Sequence, residues 1–176
     1  MKILAIDPSG NYTEGKGTTG WAQYYKNKIV SVGQIRAEEY SSQVDYWDSH
    51  ITLIDALRPD ILVMENYRLF ASATNAQINS ELETPQLIGV MKSYCSKQNI
   101  IVRMQPAMIK HRFTNEILLH KKIVSQDSQK RYYAVGVPIT RHILDAIRHG
   151  EFYINFKLKK ERFDGPPDQT EPSKTE

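Results

Sequence analysis

The stretch M-K-I-L-A-I-D, residues 1 to 7, decides how the rest of the chain is arranged. Its apolar run from Ile3 to Ile6 is typical of a β-strand buried on both faces, and the run stops at a carboxylate. Residues 8 to 10, Pro-Ser-Gly, then turn the chain away from the sheet. Asp7 is therefore a candidate functional residue, although an Asp before Pro and Gly also commonly begins an ordinary turn.

The composition predicts one globular domain. The chain has 176 residues, of which 40% are hydrophobic, enough to bury a full core without a second domain. The net charge of +3 suits a nucleic-acid partner only if the positive charges cluster. The single cysteine, Cys95, excludes an intrachain disulfide framework and a Cys-rich zinc site, and we expect it to be a packing residue. No apolar run approaches about 20 residues and no signal-peptide pattern opens the chain, so we expect a cytoplasmic protein.

The first part of the chain predicts an antiparallel meander followed by a helix. A Gly-rich link leads from the first strand to a second at 19–25, and a tight turn leads to a third at 29–35. Apolar residues then recur every three or four positions from Val44 to Leu57, which predicts an amphipathic helix. Arg58-Pro59-Asp60 ends it.

A second buried strand repeats the design of the first. The stretch D-I-L-V-M-E, residues 60 to 65, again places an acid, Glu65, at the end of an apolar run, and we expect it to be parallel to the first strand. After a polar loop at 68–83, the pattern predicts a helix at 84–98 and a strand at 100–104. Residues 108–122 read as two helical pieces, and 125–137 as a loop.

The last regular element is predicted as a helix from Thr140, its N-cap, to Phe152. His142, Asp145 and His149 are spaced by three and four and so share one side, which is either functional or merely solvated. This helix completes a domain that we assign to residues 1–156. The charged, Pro-containing tail at 157–176 is expected to be disordered.

The order of elements predicts a mixed sheet with helices packed on it. If the strands that end in Asp7 and Glu65 are neighbours, about 4.8 Å apart, their carboxylates could share divalent cations. An acid from the last helix would complete the cluster. Acids this close repel one another unless a cation neutralises them, and carboxylates with one His favour Mg²⁺ or Mn²⁺ over zinc.

Three motifs resemble the RuvC-type Holliday junction resolvases of the RNase H-like (retroviral integrase-like) superfamily. They are I-D-P-S-G with T-T-G-W-A at residues 6 to 22, I-L-V-M-E at 61 to 65 and H-I-L-D-A-I at 142 to 147. Their order is the family's order, and together they cover most of residues 1 to 153. The resemblance implies an α/β, RNase H-like mixed five-stranded sheet with an antiparallel opening meander and helices on both faces.

The resemblance also implies an activity. Asp7, Glu65 and Asp145 match the family's metal-binding acids and His142 its fourth site, where some members have His; His149 has no counterpart, and we expect a surface or supporting role for it. The implied enzyme is an endodeoxyribonuclease of DNA recombination and repair. It would hydrolyse phosphodiesters with two Mg²⁺, or Mn²⁺ in their place, about 3.5 to 4 Å apart. Members act as homodimers on four-way junctions, so branched DNA and a second copy are the implied partners.

Candidate DNA contacts are basic and aromatic. Basic residues that would bind phosphates are concentrated between residues 110 and 131, although a solvated helix face is an equal alternative: Lys110, Arg112, Lys121, Lys122, Lys130 and Arg131. The family tends to place an aromatic soon after the strand acid to stack on an unpaired base. Tyr67 and Phe70 are the candidates here, close to Arg68.

Other functions remain open at this point. An actin-like or sugar-kinase-type nucleotide-binding protein uses a similar strand turn to cradle phosphates, but such proteins need two such domains. A relative could bind branched DNA without cutting it. A nuclease of this class could also act on RNA–DNA hybrids, flaps or replication forks.

Overall fold

A mixed five-stranded sheet lies at the centre of the computed structural model, which describes residues 1–13, 15–67 and 82–158. The strand order is β3-β2-β1-β4-β5, with β1 antiparallel to β2, β2 antiparallel to β3, and β4 parallel to both β1 and β5. The predicted mixed sheet with its opening meander is confirmed. Its strands are β1 (Lys2–Asp7), β2 (Thr18–Tyr25), β3 (Lys28–Arg36), β4 (Ile61–Asn66) and β5 (Ile101–Pro106).

Four α-helices accompany the sheet in the described ranges: α1 (Gln43–Leu57), α2 (Glu83–Lys97), α3 (Asn115–His120) and α4 (Arg141–Phe152). They begin and end within a residue or two of the sequence predictions. The two helical pieces predicted at 108–122 are a 3-10 helix, Ala107–Arg112, and α3. A further 3-10 turn covers Ala37–Glu39, and α4 continues into a π-helical turn, Tyr153–Lys157.

Side chains of β1 alternate between two cores, one on each face of the sheet. Ile3 and Ala5 pack in the core that α4 covers, whereas Leu4 and Ile6 pack in the core that α1 and α2 cover. This alternation follows from the period-2 geometry of a strand. The prediction of helices on both faces is therefore confirmed, and Cys95 is buried in the second core, as expected for a packing residue.

One local prediction was wrong. Residues 125–137, predicted as a loop, contain most of a small antiparallel sheet formed by Ser125–Gln126, Tyr132–Ala134 and Val137–Pro138. Strands of two or three residues are too short to carry a hydrophobic period. Thr140 occupies the N-cap position of α4, as predicted, but its side chain makes no capping bond and its hydroxyl donates to Gln34 Oε1 at 3.0 Å.

Two predicted segments fall largely outside the described residues. These are the polar loop at 68–83, of which only 82 and 83 are described, and the tail at 157–176, of which only 157 and 158 are described, both helical. None of the helices that the structure describes combines the length and the apolar composition needed to cross a membrane.

Candidate metal centre

The two strand-end acids leave the sheet side by side. The parallel pairing of β1 with β4 places Ile6 opposite Met64, so the next residue on each strand, Asp7 and Glu65, lies at the same level. Their approach follows from the spacing of hydrogen-bonded strands, about 4.8 Å. The strands that carry Asp7 and Glu65 are thus neighbours in the sheet, which is the condition for their carboxylates to share a cation.

Three acids converge on one ammonium group, that of Lys110. Lys110 Nζ lies 3.1 Å from Asp7 Oδ1, 2.6 Å from Glu65 Oε2 and 3.0 Å from Asp145 Oδ2. The acids come from β1, β4 and α4, and the lysine from the 3-10 helix that follows β5. One ammonium group therefore contacts three carboxylates.

The cluster shifts the pKa values of its members. Burial alone would raise the pKa of Glu65, but hydrogen bonds from His149 and Lys110 and their positive charge lower it to about 2. Burial alone would lower the pKa of Lys110, but the charge of Asp7, the hydrogen bond to Glu65 and the charge of Asp145 raise it well above its usual value. Glu65 is thus ionised and Lys110 protonated at neutral pH, so the ammonium and a divalent cation would compete for the same carboxylates.

Helix α4 brings one acid and two imidazoles to the cluster. Asp145 is buried and also forms an ion pair with Arg148, one turn further along the helix. Arg148 is itself held by the carbonyl of Phe113 at 3.0 Å and by Asn115 Oδ1. His142 lies in the first turn with its Nδ1 3.4 Å from Asp7 Oδ2, and its side chain is 44% exposed. Asp145 is therefore fixed from two sides, whereas His142 is open to solvent.

Two glycines allow α4 to lie against β2, beside Asp7. Gly20 pairs with Asp7 across the β1–β2 ladder, and a Cβ on Gly20 would lie 2.1 Å from the backbone of His142. Further along, a Cβ on Gly150 would lie 2.3 Å from the ring of Tyr24, whose hydroxyl donates to the carbonyl of Ile147 at 3.1 Å. Both close approaches require a residue without a side chain.

The turn after Asp7 is held by the opposite layer of helices. The hydroxyl of Tyr46 on α1 donates to the carbonyl of Ser9 at 2.5 Å, and the amide of Gly10 donates to Thr84 Oγ1 on α2 at 2.9 Å. The amide of Ser9 also donates to Thr19 Oγ1 at 3.0 Å. These bonds fix the direction in which the chain leaves β1, and with it the position of Asp7.

His149 lies inside the cluster, so of the two roles expected for it, on the surface or in support of the site, the structure excludes the surface role. Its ring is fully buried, with Nε2 3.0 Å from Glu65 Oε2 and Nδ1 2.9 Å from Gln105 Oε1 on β5. Ligand atoms of Asp7, Glu65 and His149 lie within 4.8 Å of one another, close enough to hold a metal ion. The side of α4 that carries these groups is therefore not merely solvated.

The donor set fits a hard divalent cation. Three carboxylates supply oxygen ligands, the kind that Mg²⁺ and Mn²⁺ prefer, and at most one or two imidazoles are near enough to join them. The Lys110 ammonium lies between these oxygens, at the position that a bound metal ion would occupy. The arrangement could bind a divalent metal ion.

The other predicted residues lie at separate places. Lys110 is in the acid cluster and not with the remaining basic residues. Tyr67 is half-buried against the core of α1 and α2, while Arg68 and Phe70 lie outside the described residues. Arg131 is exposed and paired with Asp127 at 2.9 Å. The side chains of four others are exposed: Arg112, Lys121, Lys122 and Lys130.

Sequence reasoning missed two partners of the acids, Lys110 and Arg148, and it missed Gln105, which contacts His149. The helical period predicted that His149 shares the side of Asp145, and it could have indicated the same for Arg148, which follows Asp145 by three positions. Gln105 is the last residue but one of β5, and the register of β5 with β4 places it opposite Glu65. That signal becomes visible only once the strand order is known.

The fold and the acid cluster define an RNase H-like α/β protein with a candidate metal centre at the ends of β1 and β4. No protein-family model and no curated protein sequence matches the chain. Solved structures do match. Thermus thermophilus RuvC in complex with a Holliday junction substrate aligns with a TM-score of 0.60 and 12% identity, over 94% of this chain and 98% of that one.

Two further structures are similar. A second Thermus thermophilus RuvC structure aligns with a TM-score of 0.56 and 14% identity, covering 88% of this chain and 95% of that chain. A fowlpox virus resolvase in complex with substrate Holliday junction DNA aligns at 14% identity over 88% of this chain and 97% of that one, but the TM-score is 0.46. The fold is that of RuvC, so the resemblance predicted from the motifs is confirmed at the level of the fold.

Proposed function

We propose that the protein is a divalent-metal-dependent endonuclease that resolves four-way DNA junctions. The observation that carries this proposal is the convergence of Asp7, Glu65 and Asp145 on one cation, the ammonium of Lys110. Its likeness in fold to RuvC bound to a Holliday junction substrate supports the choice of branched DNA. Residues 1–156 form the nuclease domain in this proposal.

The side chains divide the work of binding and orientation. Asp7, Glu65 and Asp145 would hold the cations, and Arg148 fixes the Asp145 carboxylate through an ion pair. His142, open to solvent beside Asp7, joins the ligands or orients the attacking water. When bound, a pair of Mg²⁺ ions supplies an activated water and stabilises the departing 3′ oxygen.

The exposed basic residues would form the surface that binds DNA. Arg112, Lys121, Lys122 and Lys130 are open to solvent and would contact phosphates without reading sequence, so binding should weaken steeply as salt rises. The protein would act as a homodimer, because a four-way junction has two strands to cut symmetrically. Each protomer then contributes one acid cluster.

The decisive experiment compares substrates. The protein is incubated with a synthetic four-way junction, a linear duplex of the same sequence and an RNA–DNA hybrid, each with and without Mg²⁺. We expect paired nicks in the junction only with Mg²⁺. Junction binding without nicks would instead identify a non-cleaving branched-DNA-binding protein, and preferred cleavage of the hybrid would identify a ribonuclease.

Removal of any one acid should abolish cleavage. We expect Asp7→Asn, Glu65→Gln and Asp145→Asn each to lower the cleavage rate at least about 100-fold, since changing even the outer partners of metal ligands typically costs 10- to 100-fold. Junction binding should persist, because the phosphate contacts lie elsewhere. Asp48→Asn, at an exposed position of α1, is the matched control. Wild-type cleavage by an acid variant would remove that residue from the site.

A further inference from the structure

His149 is a buried ionisable group for which the proposed mechanism has no use. It lies one helical turn after Asp145 and is fully buried. Its two ring nitrogens bridge two strands, Nε2 to Glu65 Oε2 on β4 at 3.0 Å and Nδ1 to Gln105 Oε1 on β5 at 2.9 Å. Both contacts are within hydrogen-bond range, so the ring has little freedom to turn. The question is whether His149 binds metal itself or holds a residue that does.

The two hydrogen bonds of the His149 ring require a proton on Nε2. Within the described part of the chain, Gln105 Nε2 is buried and has no hydrogen-bond partner. Turning the Gln105 amide by 180° exchanges its oxygen and nitrogen, so that the amide donates to Nδ1 and the imidazole carries its proton on Nε2. If the amide is not turned, Nδ1–H donates to Gln105 Oε1 and a second proton on Nε2 is needed to face Glu65.

The remaining arrangement is unfavourable. A neutral ring protonated only on Nδ1 would set the lone pair of Nε2 against a carboxylate oxygen at 3.0 Å. A proton on Glu65 could fill that gap, but Lys110 Nζ is 2.6 Å from the same oxygen and favours the carboxylate. An Nε2–H bond to Glu65 is therefore common to both favourable arrangements, and a nitrogen that carries a proton cannot ligate metal.

We propose that His149 is a positioning residue: it holds the Glu65 carboxylate in its metal-binding orientation by donating from Nε2, and Gln105 fixes the ring that does so. This inference deepens the proposed function and rests on it. Ligating carboxylates commonly depend on such outer hydrogen bonds, whose loss typically costs 10- to 100-fold in metal affinity or activity. The competing assignment, in which His149 joins Asp7 and Glu65 as a third metal ligand, predicts a bare Nε2 in the loaded protein.

Nitrogen NMR of the histidine rings tests the assignment without DNA or catalysis. In ¹⁵N-histidine-labelled protein, the signal that disappears in His149→Gln belongs to His149. We expect it to show a protonated Nε2 both before and after Mg²⁺ is added. A bare Nε2, or loss of its proton on addition of Mg²⁺, would overturn the proposal in favour of direct coordination.

Titration calorimetry with Mg²⁺ alone supplies the second measurement. His149→Leu should lower Mg²⁺ affinity about 10- to 100-fold, and His149→Gln, whose amide can still donate to Glu65, should recover part of the loss. Gln105→Leu leaves the imidazole in place but removes its anchor, so it should also weaken Mg²⁺ binding. The matched controls are His120→Leu and Gln98→Leu, both at exposed positions.

The results separate the two proposals. Wild-type affinity in folded Gln105→Leu and His149→Leu proteins would reduce His149 to a packing residue and overturn the inference. A wild-type protein that binds no Mg²⁺ would overturn the proposed function and this inference together. A bare Nε2 in a protein that does bind Mg²⁺ would overturn this inference alone.

Discussion

Lys110 shows how a single residue can balance a site built from like charges. Its ammonium contacts Asp7, Glu65 and Asp145, and its side chain is 24% exposed. Without it, three carboxylates would face one another across a partly buried space, where repulsion is weakly screened. The lysine thus stabilises the metal-free fold. It also occupies the position that a divalent cation would take, so the two would compete.

We therefore predict that Lys110→Met destabilises the metal-free protein by about 2 to 3 kcal/mol, somewhat below the cost of breaking a fully buried ion pair. Mg²⁺ should restore more stability to this variant than to the wild type, because no ammonium competes with it. Urea unfolding with and without Mg²⁺ measures both effects. Lys92→Met, at an exposed position of α2, is the control, and equal responses to Mg²⁺ would contradict the prediction.

At the scale of elements, the site depends on how closely α4 approaches β2. Gly20 leaves room for the backbone of His142, and Gly150 leaves room for the ring of Tyr24. A strand and a helix each contribute one glycine, so the axis of α4 is set at two points. Asp145 and His149 lie between His142 and Gly150 in the sequence of α4. Their side chains therefore approach Asp7 and Glu65 from a well-defined direction.

Gly20→Ala should displace the first turn of α4. The new Cβ would lie 2.1 Å from backbone atoms of His142, which cannot move aside as a flexible side chain can. We expect a loss of about 1 to 3 kcal/mol in the free energy of unfolding, together with weaker Mg²⁺ binding. Gly89→Ala on α2 is the matched control, since its Cβ meets nothing within 4 Å, and it should stabilise the protein by up to about 1 kcal/mol. A Gly20→Ala protein as stable as wild type would refute the close packing.

At the scale of the whole molecule, a buried histidine on α1 links stability to pH. His50 accepts a hydrogen bond from Thr19 Oγ1 on β2 at 2.8 Å, and its Nδ1 donates to the carbonyl of Tyr46 at 2.8 Å. Burial lowers the pKa of His50 to about 4, despite hydrogen bonds that favour the charged form. The unfolded chain therefore takes up this proton from about pH 6.5 downward, and the folded chain only near pH 4.

This group's contribution to stability should be complete above pH 6.5 and should decline as the pH falls toward 4. The expected loss is of order 3 kcal/mol, and it ends once both states are protonated. Urea unfolding at pH 7 and 4.5 should show a smaller loss for His50→Gln than for the wild type, while His120→Gln should behave as the wild type. The pKa of Glu65 is about 2, so most of its contribution is lost at lower pH. Equal pH dependence in His50→Gln would contradict this account.

Local sequence patterns predicted most of the strands and helices. The apolar runs before Asp7 and Glu65, and the change of period at Val44, predicted the main strands and helices, because burial on one or both faces leaves a regular trace in the sequence. The three very short strands after α3 leave no such trace. The ion pairs left none either, since Lys110 and Asp7 lie 103 positions apart and no period links them.

By itself, the sequence determined where two buried strands end in acids and which side of the last helix carries Asp145. Only the tertiary structure decided that Lys110, Arg148 and His149 contact those acids and that Gln105 contacts His149. The physical reason is that periodicity reports which face of an element is buried, whereas the partner that each charge meets depends on strand order, register and the approach of α4 to β2.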